Sequence, residues 1–294
     1  MIRLCAFSDE ADASLAGQIA ALKDNGICLT ELRSVSGKNV KDFTVEEARE
    51  IAAELAKNGI SVWSIGSPLG KTDVTTDFGE YEKEIRHVCE IAQVFGAKNV
   101  RLFSFFNAYE EEEEVIRRMR AMAEILAEYG LTPCHENEKE IYGDTAARVI
   151  ALLDKVPTLS SVYDPANFVQ VGEEDGAALL ELQRRAKYFH IKDASKKTEA
   201  IVPAGKGDGN IPAIVARIAA KEAVQEQDVV LTLEPHLALF DGYAQIDNTE
   251  LKHEYRYDSA TEAFSAAANA LKGILTANGY QEIAGGIWKH ASRT

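Results

Sequence analysis

Short β-rich runs alternate with longer amphipathic stretches along the whole chain, and this alternation restricts the fold more than any other feature. The longer stretches carry apolar residues at three- and four-residue spacing, such as Ile51 and Leu55, which predicts helices. Several of them end just before a glycine, where a left-handed helix C-cap favours that residue. Eight strands are predicted at residues 3–7, 28–32, 61–65, 99–103, 131–135, 159–163, 188–192 and 229–234, each followed by a helix, at 14–25, 44–58, 80–95, 110–129, 144–154, 174–185, 211–220 and 259–278.

Eight consecutive βα units predict a closed (β/α)₈ TIM barrel of the α/β class. The 294 residues contain no composition break and no Pro/Gly/Ser linker, so we expect one domain over residues 1–294. A barrel of this type typically has roughly 250 residues, and we expect the surplus in long βα loops. The longest loops are predicted after strand eight, at 237–258, and after strand seven, at 194–210. A doubly wound open sheet is the structural alternative.

Composition and charge restrict the partners and the compartment. The chain has 46% apolar and 27% charged residues, as an ordinary globular protein has, and its net charge of −15 disfavours nucleic acid and anionic lipid. No apolar stretch approaches the roughly 20 residues of a membrane span, and the N-terminus lacks a secretory apolar region. The four cysteines form no CxxC pair, which predicts free thiols in a reducing compartment. We therefore expect a cytoplasmic protein with no membrane or nucleic-acid partner.

Four metal-competent side chains close four consecutive predicted strands: Glu136, Asp164, His190 and Glu234. Because reactive side chains of a parallel barrel gather at the carboxyl ends of its strands, we expect these four to converge on one divalent cation. Three carboxylates and one imidazole form a hard, oxygen-rich donor set that favours Mn²⁺, Mg²⁺ or Co²⁺, while Zn²⁺ stays open. Taken singly, an aspartate at a strand end is more often a helix cap or a loop anchor.

An ordered set of short motifs surrounds these residues and resembles the xylose isomerase-like barrels called sugar phosphate isomerases/epimerases. The resemblance spans nearly the whole chain and keeps the order of the motifs. The motifs are Glu31-Leu32-Arg33, Ser67-Pro68-Leu69-Gly70, His135-Glu136-Asn137-Glu138, Asp164-Pro165-Ala166-Asn167-Phe168, Phe189-His190-Ile191-Lys192-Asp193, the glycine-rich stretch 204–211, and Leu233-Glu234-Pro235-His236.

This resemblance implies roles for the four side chains. In the ketose 3-epimerases of the superfamily, a Glu, an Asp, a His and a Glu on strands five to eight hold one divalent ion, of which Mn²⁺ is our first expectation. The two glutamates flank the substrate carbon, which implies Glu136 and Glu234 as the catalytic acid/base pair. A cation that binds the carbonyl oxygen stabilises an enediolate, and nearby carboxylates can then move the proton. The expected activity is isomerisation or epimerisation of a keto-sugar or sugar phosphate.

Residues near the four are candidates for binding the sugar substrate. Asn167 stands where related epimerases often carry a histidine, while Lys192 and His236 each follow a predicted ligand by two positions. Arg33 and Lys71 lie on early rim positions and are expected anion contacts, with surface salt bridges as the alternative. Glu138 could replace Glu136 as a ligand if strand five runs longer. Residues 205–209 predict a mobile rim loop, because three glycines there alternate with charged residues.

Other functions use the same fold. A lyase of the inosose dehydratase type would expel a β-hydroxyl from the same enediolate, and nothing in the chain separates it from an epimerase. A metal-dependent endonuclease for abasic DNA is a remote alternative, since it needs a histidine-rich multi-metal cluster and a basic face. A non-catalytic binding barrel is the last. The long loop after strand eight either covers the pocket or packs against a second subunit, so a homo-oligomer is also open.

Overall fold

A computed structural model of the chain describes residues 1–220, 228–240, 252 and 254–293. Eight parallel strands follow one another around a ring, and β8 pairs with both β7 and β1, which closes the barrel. The predicted TIM barrel is therefore confirmed, while its extent as one domain stays a prediction. The strands are β1 (Ile2–Ala6), β2 (Leu29–Leu32), β3 (Ser61–Ile65), β4 (Asn99–Leu102), β5 (Thr132–Glu136), β6 (Ser160–Tyr163), β7 (Ala186–Ile191) and β8 (Val229–Leu233).

Helices connect the strands and cover the outside of the ring. Local signals set their ends: Thr44 and Glu47 form a capping box at the start of α2, and Asp77 caps α3. Gly96 ends α3 in the left-handed conformation with φ of 67°. The helices are α1 (Leu15–Asp24), α2 (Val45–Lys57), α3 (Phe78–Phe95), α4 (Glu112–Glu128), α5 (Ala146–Lys155), α6 (Pro165–Gln170), α7 (Ala177–Arg185), α8 (Ile211–Ala219) and α9 (Ala260–Ala277).

The sixth βα unit differs from the prediction, because two helices stand where one was expected. Helix α6 begins directly after β6, with Asp164 as its N-cap and Pro165 in the first turn. The Asp164 carboxylate accepts the Asn167 N–H at 3.0 Å, and proline fits the first helical turn because it needs no N–H partner there. One oxygen of Asp164 is thus used locally, which leaves the other for the barrel interior.

The loop after β7 is anchored in this structure, where the sequence predicted a mobile segment. One Asp193 carboxylate oxygen accepts the N–H groups of Gly205 and Gly207 at 2.8 and 3.1 Å, and the other accepts that of Gly209 at 2.9 Å. A side chain at Gly207 would place Cβ 2.5 Å from the carbonyl oxygen of Ala194, so the backbone can approach only a glycine. Of the predicted long loop after β8, residues 241–251 and 253 lie outside the described residues.

A C-terminal hairpin of β9 (Tyr280–Ala284) and β10 (Ile287–His290) was not predicted. Strand β10 pairs antiparallel with the start of β1, at Ile2 and Arg3. The hairpin therefore lies at the amino-terminal end of the barrel strands, opposite the predicted site.

The largest buried apolar cluster packs the helices against the sheet, and a smaller one around Cys5, Val162 and Val230 fills the barrel interior. All four cysteines are free thiols, and Cys28 is the exposed one. Among the described residues, no helix combines the length and apolarity needed to span a bilayer.

Candidate metal centre

The four side chains predicted as ligands meet at the carboxyl end of the barrel. Glu136 and His190 lie at the ends of β5 and β7, and Asp164 and Glu234 directly follow β6 and β8. One ligand-type atom from each of the four lies within 4.8 Å of those of the others, and all four residues are buried. We call these four residues the quartet. The closed ring accounts for this geometry, because it brings the ends of four successive strands to one point.

One nitrogen of the His190 ring contacts both glutamates of the quartet. This nitrogen, Nδ1, lies 2.8 Å from Glu136 Oε1 and 3.2 Å from Glu234 Oε2. Burial opposes a charge on the imidazole, yet Glu136, Glu31 and Glu234 together raise the pKa of His190 well above its usual value. The negative charge of these three carboxylates thus favours a positive charge at this position.

Two buried arginines support the same glutamates from one side. Arg33 contacts Glu234 at 3.1 Å, and Arg101 contacts Glu136 at 3.2 Å and Glu234 at 3.6 Å. Both guanidinium groups lie over the Phe7 ring, at 4.4 and 5.1 Å from its centroid. Sequence reasoning missed Arg101, although an arginine inside a buried strand is itself a signal, because it requires partners.

Arg33 was predicted to bind an anionic part of the substrate, with a surface salt bridge as the alternative. It is 2% exposed, so it is not a surface residue. Its guanidinium forms a two-point contact with Asp9 at 2.9 and 3.0 Å and reaches Glu10 at 3.2 Å, besides Glu234. Arg33 therefore pairs with three protein carboxylates, and its role toward substrate stays a prediction.

Lys192 and Asn167 lie beside Asp164. The Lys192 ammonium is 3.0 Å from Asp164 Oδ2 and 3.5 Å from Glu234 Oε2. Asn137, which sequence reasoning did not single out, clamps the tips of β5 and β6: its side chain bonds the backbone N–H and C=O of Asp164, each at 2.9 Å. Asn167 donates to the Asn137 carbonyl at 2.8 Å, and within the described residues its Oδ1 has no hydrogen-bond partner. That buried oxygen is available to a ligand.

His236 joins the edge of the site, whereas Lys71 does not reach the quartet. His236 Nε2 is 3.3 Å from Glu10 and 3.8 Å from Glu234, and its backbone has a positive φ of 45°. Lys71 pairs instead with Glu138 at 3.1 Å. The cluster of ligand-type atoms contains Glu136 and not Glu138, so the alternative with Glu138 as a ligand lacks support among the described residues.

The quartet has the properties that a divalent cation requires. Glu136 Oε2 and Asp164 Oδ2 are buried oxygens that lack hydrogen-bond partners among the described residues, although Arg101 and Lys192 lie at ion-pair distance. Burial raises the pKa of Asp164 to about 7 against the opposing effect of Lys192, and the nearby Glu234 and Glu136 add to the rise. In the described site, six buried carboxylates face only three side chains that are always cationic: Asp9, Glu10, Glu31, Glu136, Asp164 and Glu234 face Arg33, Arg101 and Lys192.

Fold and site together define the class of protein: a parallel eight-stranded βα barrel whose carboxyl-end rim carries an oxygen-rich donor set. The chain belongs to the xylose isomerase-like TIM barrel family, whose sequence profile matches residues 19–254. No curated protein matches the chain significantly.

Solved structures from several proteins share the barrel at low sequence identity. The probable 3-DHS dehydratase AsbF from Bacillus anthracis is 17% identical, with a TM-score of 0.68 over 92% of this chain and 99% of that one. The IOLI protein with a bound zinc atom is 14% identical, with a TM-score of 0.69 over 94% and 99%. The D-allulose 3-epimerase from Methylomonas sp. is 16% identical, with a TM-score of 0.67 over 93% and 98%. At these identities, the likeness concerns the fold alone.

Proposed function

We propose that the chain is a metal-dependent isomerase or epimerase of keto-sugars or their phosphates, which removes a proton from a carbon beside a carbonyl. The observation that carries the proposal is the buried quartet, whose ligand-type atoms lie within 4.8 Å of one another. Its two glutamates contact the same His190 nitrogen, so both carboxylates reach one centre. The family and its epimerase neighbours support the same reaction class.

The quartet Glu136, Asp164, His190 and Glu234 would hold one divalent cation, with Mn²⁺ first because three of the four donors are carboxylates. When bound, such a cation supplies Lewis-acid polarisation of the substrate carbonyl. The same donor set also accommodates Mg²⁺, Co²⁺ or Zn²⁺.

The protein's own residues prepare the proton transfer. Burial alone would raise the pKa of Glu234, but Lys192 and His190 hold it well below the usual value, so this carboxylate is ionised, as a metal ligand and a general base must both be. Glu136 is paired with Arg101 and contacts the same His190 nitrogen as Glu234, which supports its role as the second member of the acid/base pair. The Lys192 ammonium and Asn167 Oδ1 offer a donor and an acceptor to the sugar hydroxyls.

Solvent deuterium exchange into a panel of keto-sugars and their phosphates tests the proposal, after elemental analysis of the purified protein. Wild-type protein should incorporate deuterium at a carbon beside the carbonyl. Glu136→Gln and Glu234→Gln should each abolish incorporation while the circular dichroism spectrum stays native, because glutamine keeps the shape but cannot take the proton.

Glu138→Gln is the matched control, since it removes a half-buried carboxylate two residues from Glu136 but outside the quartet. It should still exchange label. Label incorporation at the wild-type rate in both Glu136→Gln and Glu234→Gln would show that the catalytic assignment is wrong.

A lyase is the second candidate, because His236 Nε2 lies 3.8 Å from Glu234 and could protonate a departing hydroxyl. Mass spectrometry of the product separates the two reactions: a lyase yields a product lighter by one water, whereas an epimerase yields an isomer. The abasic-site endonuclease and the non-catalytic barrel stay remote alternatives, and the cytoplasmic location stays a prediction.

A further inference from the structure

A second carboxylate, Glu31 on β2, contacts the other nitrogen of the His190 ring. His190 Nε2 lies 3.2 Å from Glu31 Oε2, whereas Nδ1 faces the two glutamates of the quartet. Both Glu31 and His190 are almost fully buried, at 1% and 0% exposure. Among the described residues, no lysine or arginine lies within ion-pair distance of Glu31, so His190 is its closest potentially cationic partner.

Two hydroxyl groups of neighbouring strands hold the Glu31 carboxylate in place. Its Oε1 accepts hydrogen bonds from the Tyr188 hydroxyl at 2.8 Å and from the Ser64 hydroxyl at 3.2 Å. Both carboxylate oxygens are thus engaged, one by two hydroxyl groups and one by the imidazole. A carboxylate with donors at both oxygens cannot rotate away from the ring without losing a buried hydrogen bond.

Two irregularities in the barrel create this arrangement. The register of β2 against β3 shifts after Thr30, so that Glu31 stands opposite Ser64 and Trp63 is the extra residue. The register of β6 against β7 shifts after Ser161, so that Val162 stands opposite Tyr188. Bulges of this kind change the direction in which side chains point. Here they precede Ser64 and Tyr188, the two residues that donate hydrogen bonds to Glu31.

We propose that Glu31 is a positioning residue that keeps the proton of His190 on Nε2 and so presents the Nδ1 lone pair to the cation. A neutral imidazole has one N–H, and an ionised carboxylate can only accept a hydrogen bond. Glu136 and Glu234 also face the ring, at Nδ1, so the two sides differ only when the quartet holds its cation. The single proton would then lie on Nε2, which faces Glu31, and Nδ1 would be the ligand atom. The Phe7 ring, edge-on to His190 at 5.2 Å, restricts rotation of the imidazole. This inference rests on the metal site of the proposed function.

Binding of Zn²⁺ alone, measured by competition with a chromogenic chelator, tests the role without any substrate. Loss of a carboxylate that orients a metal-bound histidine typically weakens metal binding by about 10–100-fold, and we expect this range for Glu31→Gln. Glu138→Gln is the control, because it also removes one carboxylate from the barrel rim, although a partly exposed one, and it has no contact with His190. It should leave the Zn²⁺ affinity unchanged, which separates lost orientation from lost charge.

Nitrogen-15 spectra of the Zn²⁺-loaded wild-type protein provide a second measurement that requires no variant. They should place the His190 proton on Nε2. Tyr188→Phe removes the hydroxyl that fixes Glu31 and leaves both charges in place, so it should also weaken Zn²⁺ binding.

Three results would overturn the inference: wild-type Zn²⁺ affinity in Glu31→Gln, an equal loss in Glu138→Gln, or a His190 proton on Nδ1. If Glu31→Gln does not fold, the spectra and Tyr188→Phe decide, and unchanged affinity in Tyr188→Phe counts against the role. Failure of the proposed site has a different signature, since Glu136→Gln would then bind Zn²⁺ as the wild-type protein does; the role of Glu31 would fall with it.

Discussion

Replacement of Arg33 by methionine should destabilise the fold more than any ordinary surface substitution. Arg33 is 2% exposed and joins Asp9, Glu10 and Glu234 through contacts of 2.9 to 3.2 Å. Methionine is long and apolar enough to fill much of the space but cannot neutralise these carboxylates. The effect is thus expected to come from charge and hydrogen bonding rather than from a cavity.

The magnitude follows from the number of buried carboxylates that lose a cationic contact. Removal of one member of a buried ion pair costs about 3–5 kcal/mol, because the remaining charge stays buried. Three carboxylates contact Arg33, so we expect the upper end, about 5 kcal/mol. For a domain of this size, each kcal/mol lowers the melting temperature by roughly 2–4 °C, which predicts a decrease of about 10–20 °C.

Equilibrium urea unfolding of the metal-free protein measures the free energy of unfolding directly. Arg49→Met is the matched control, because the Arg49 side chain is 65% exposed and pairs with Glu46 on the surface of α2; its unfolding midpoint should stay close to that of the wild type. The unfolding midpoint of Arg33→Lys should lie between those of Arg33→Met and Arg49→Met, since one ammonium cannot reproduce the two-point contact with Asp9. Equal midpoints for Arg33→Met and Arg49→Met would refute the reasoning.

Three further predictions concern pH, the cation and the anchored loop. Burial, with Arg33 opposing it, raises the pKa of Glu10 from 4.5 to about 8. Between these two values the folded state binds more protons than the unfolded state. The free energy of unfolding of the metal-free protein should therefore fall as the pH rises from 4.5 to about 8, by up to about 1.4 kcal/mol per pH unit. Urea midpoints at several pH values check this, and an equally steep slope in Glu10→Gln would contradict it. Mn²⁺ at about 100 times its dissociation constant should stabilise the fold by about 2.7 kcal/mol, and a thermal midpoint unaffected by Mn²⁺ or chelator would argue against the site. Gly207→Ala, which sets Cβ 2.5 Å from the Ala194 oxygen, should cost about 1–3 kcal/mol, whereas Gly176→Ala should be nearly neutral, because its nearest neighbour is 3.8 Å away; similar thermal midpoints would disprove the clash.

The sequence predicted the barrel because its signals are local. Alternating strand and helix patterns, caps such as Thr44 and the glycine after α3 act over one or two turns, and the structure confirms the predicted barrel. The same local logic failed in the sixth unit, where Asp164 was considered as a ligand and its capping of α6 was not included in the helix prediction.

Side chains that depend on register or on distant partners were harder to predict. Glu31 was noted only as part of a motif, because its contacts with Ser64 and Tyr188 arise from two bulges that no local pattern reveals. Arg101 looks like a misplaced charge in a buried strand until the closed ring brings it to Glu136. The glycine-rich loop suggested mobility, since its anchor, Asp193, precedes its first glycine by 12 residues.

By itself, the sequence determined the order of the strands and which acidic and imidazole side chains end them, because short-range hydrophobic spacing and turn chemistry encode both. Only the tertiary structure decided that the ligand-type atoms at four strand ends lie within 4.8 Å of one another. It also decided that Arg33, Arg101 and Lys192 pair with the carboxylates there, and that Glu31 contacts the Nε2 side of His190. The physical reason is that closure and register are collective properties of eight strands, and electrostatic pairing follows from the distances that they impose.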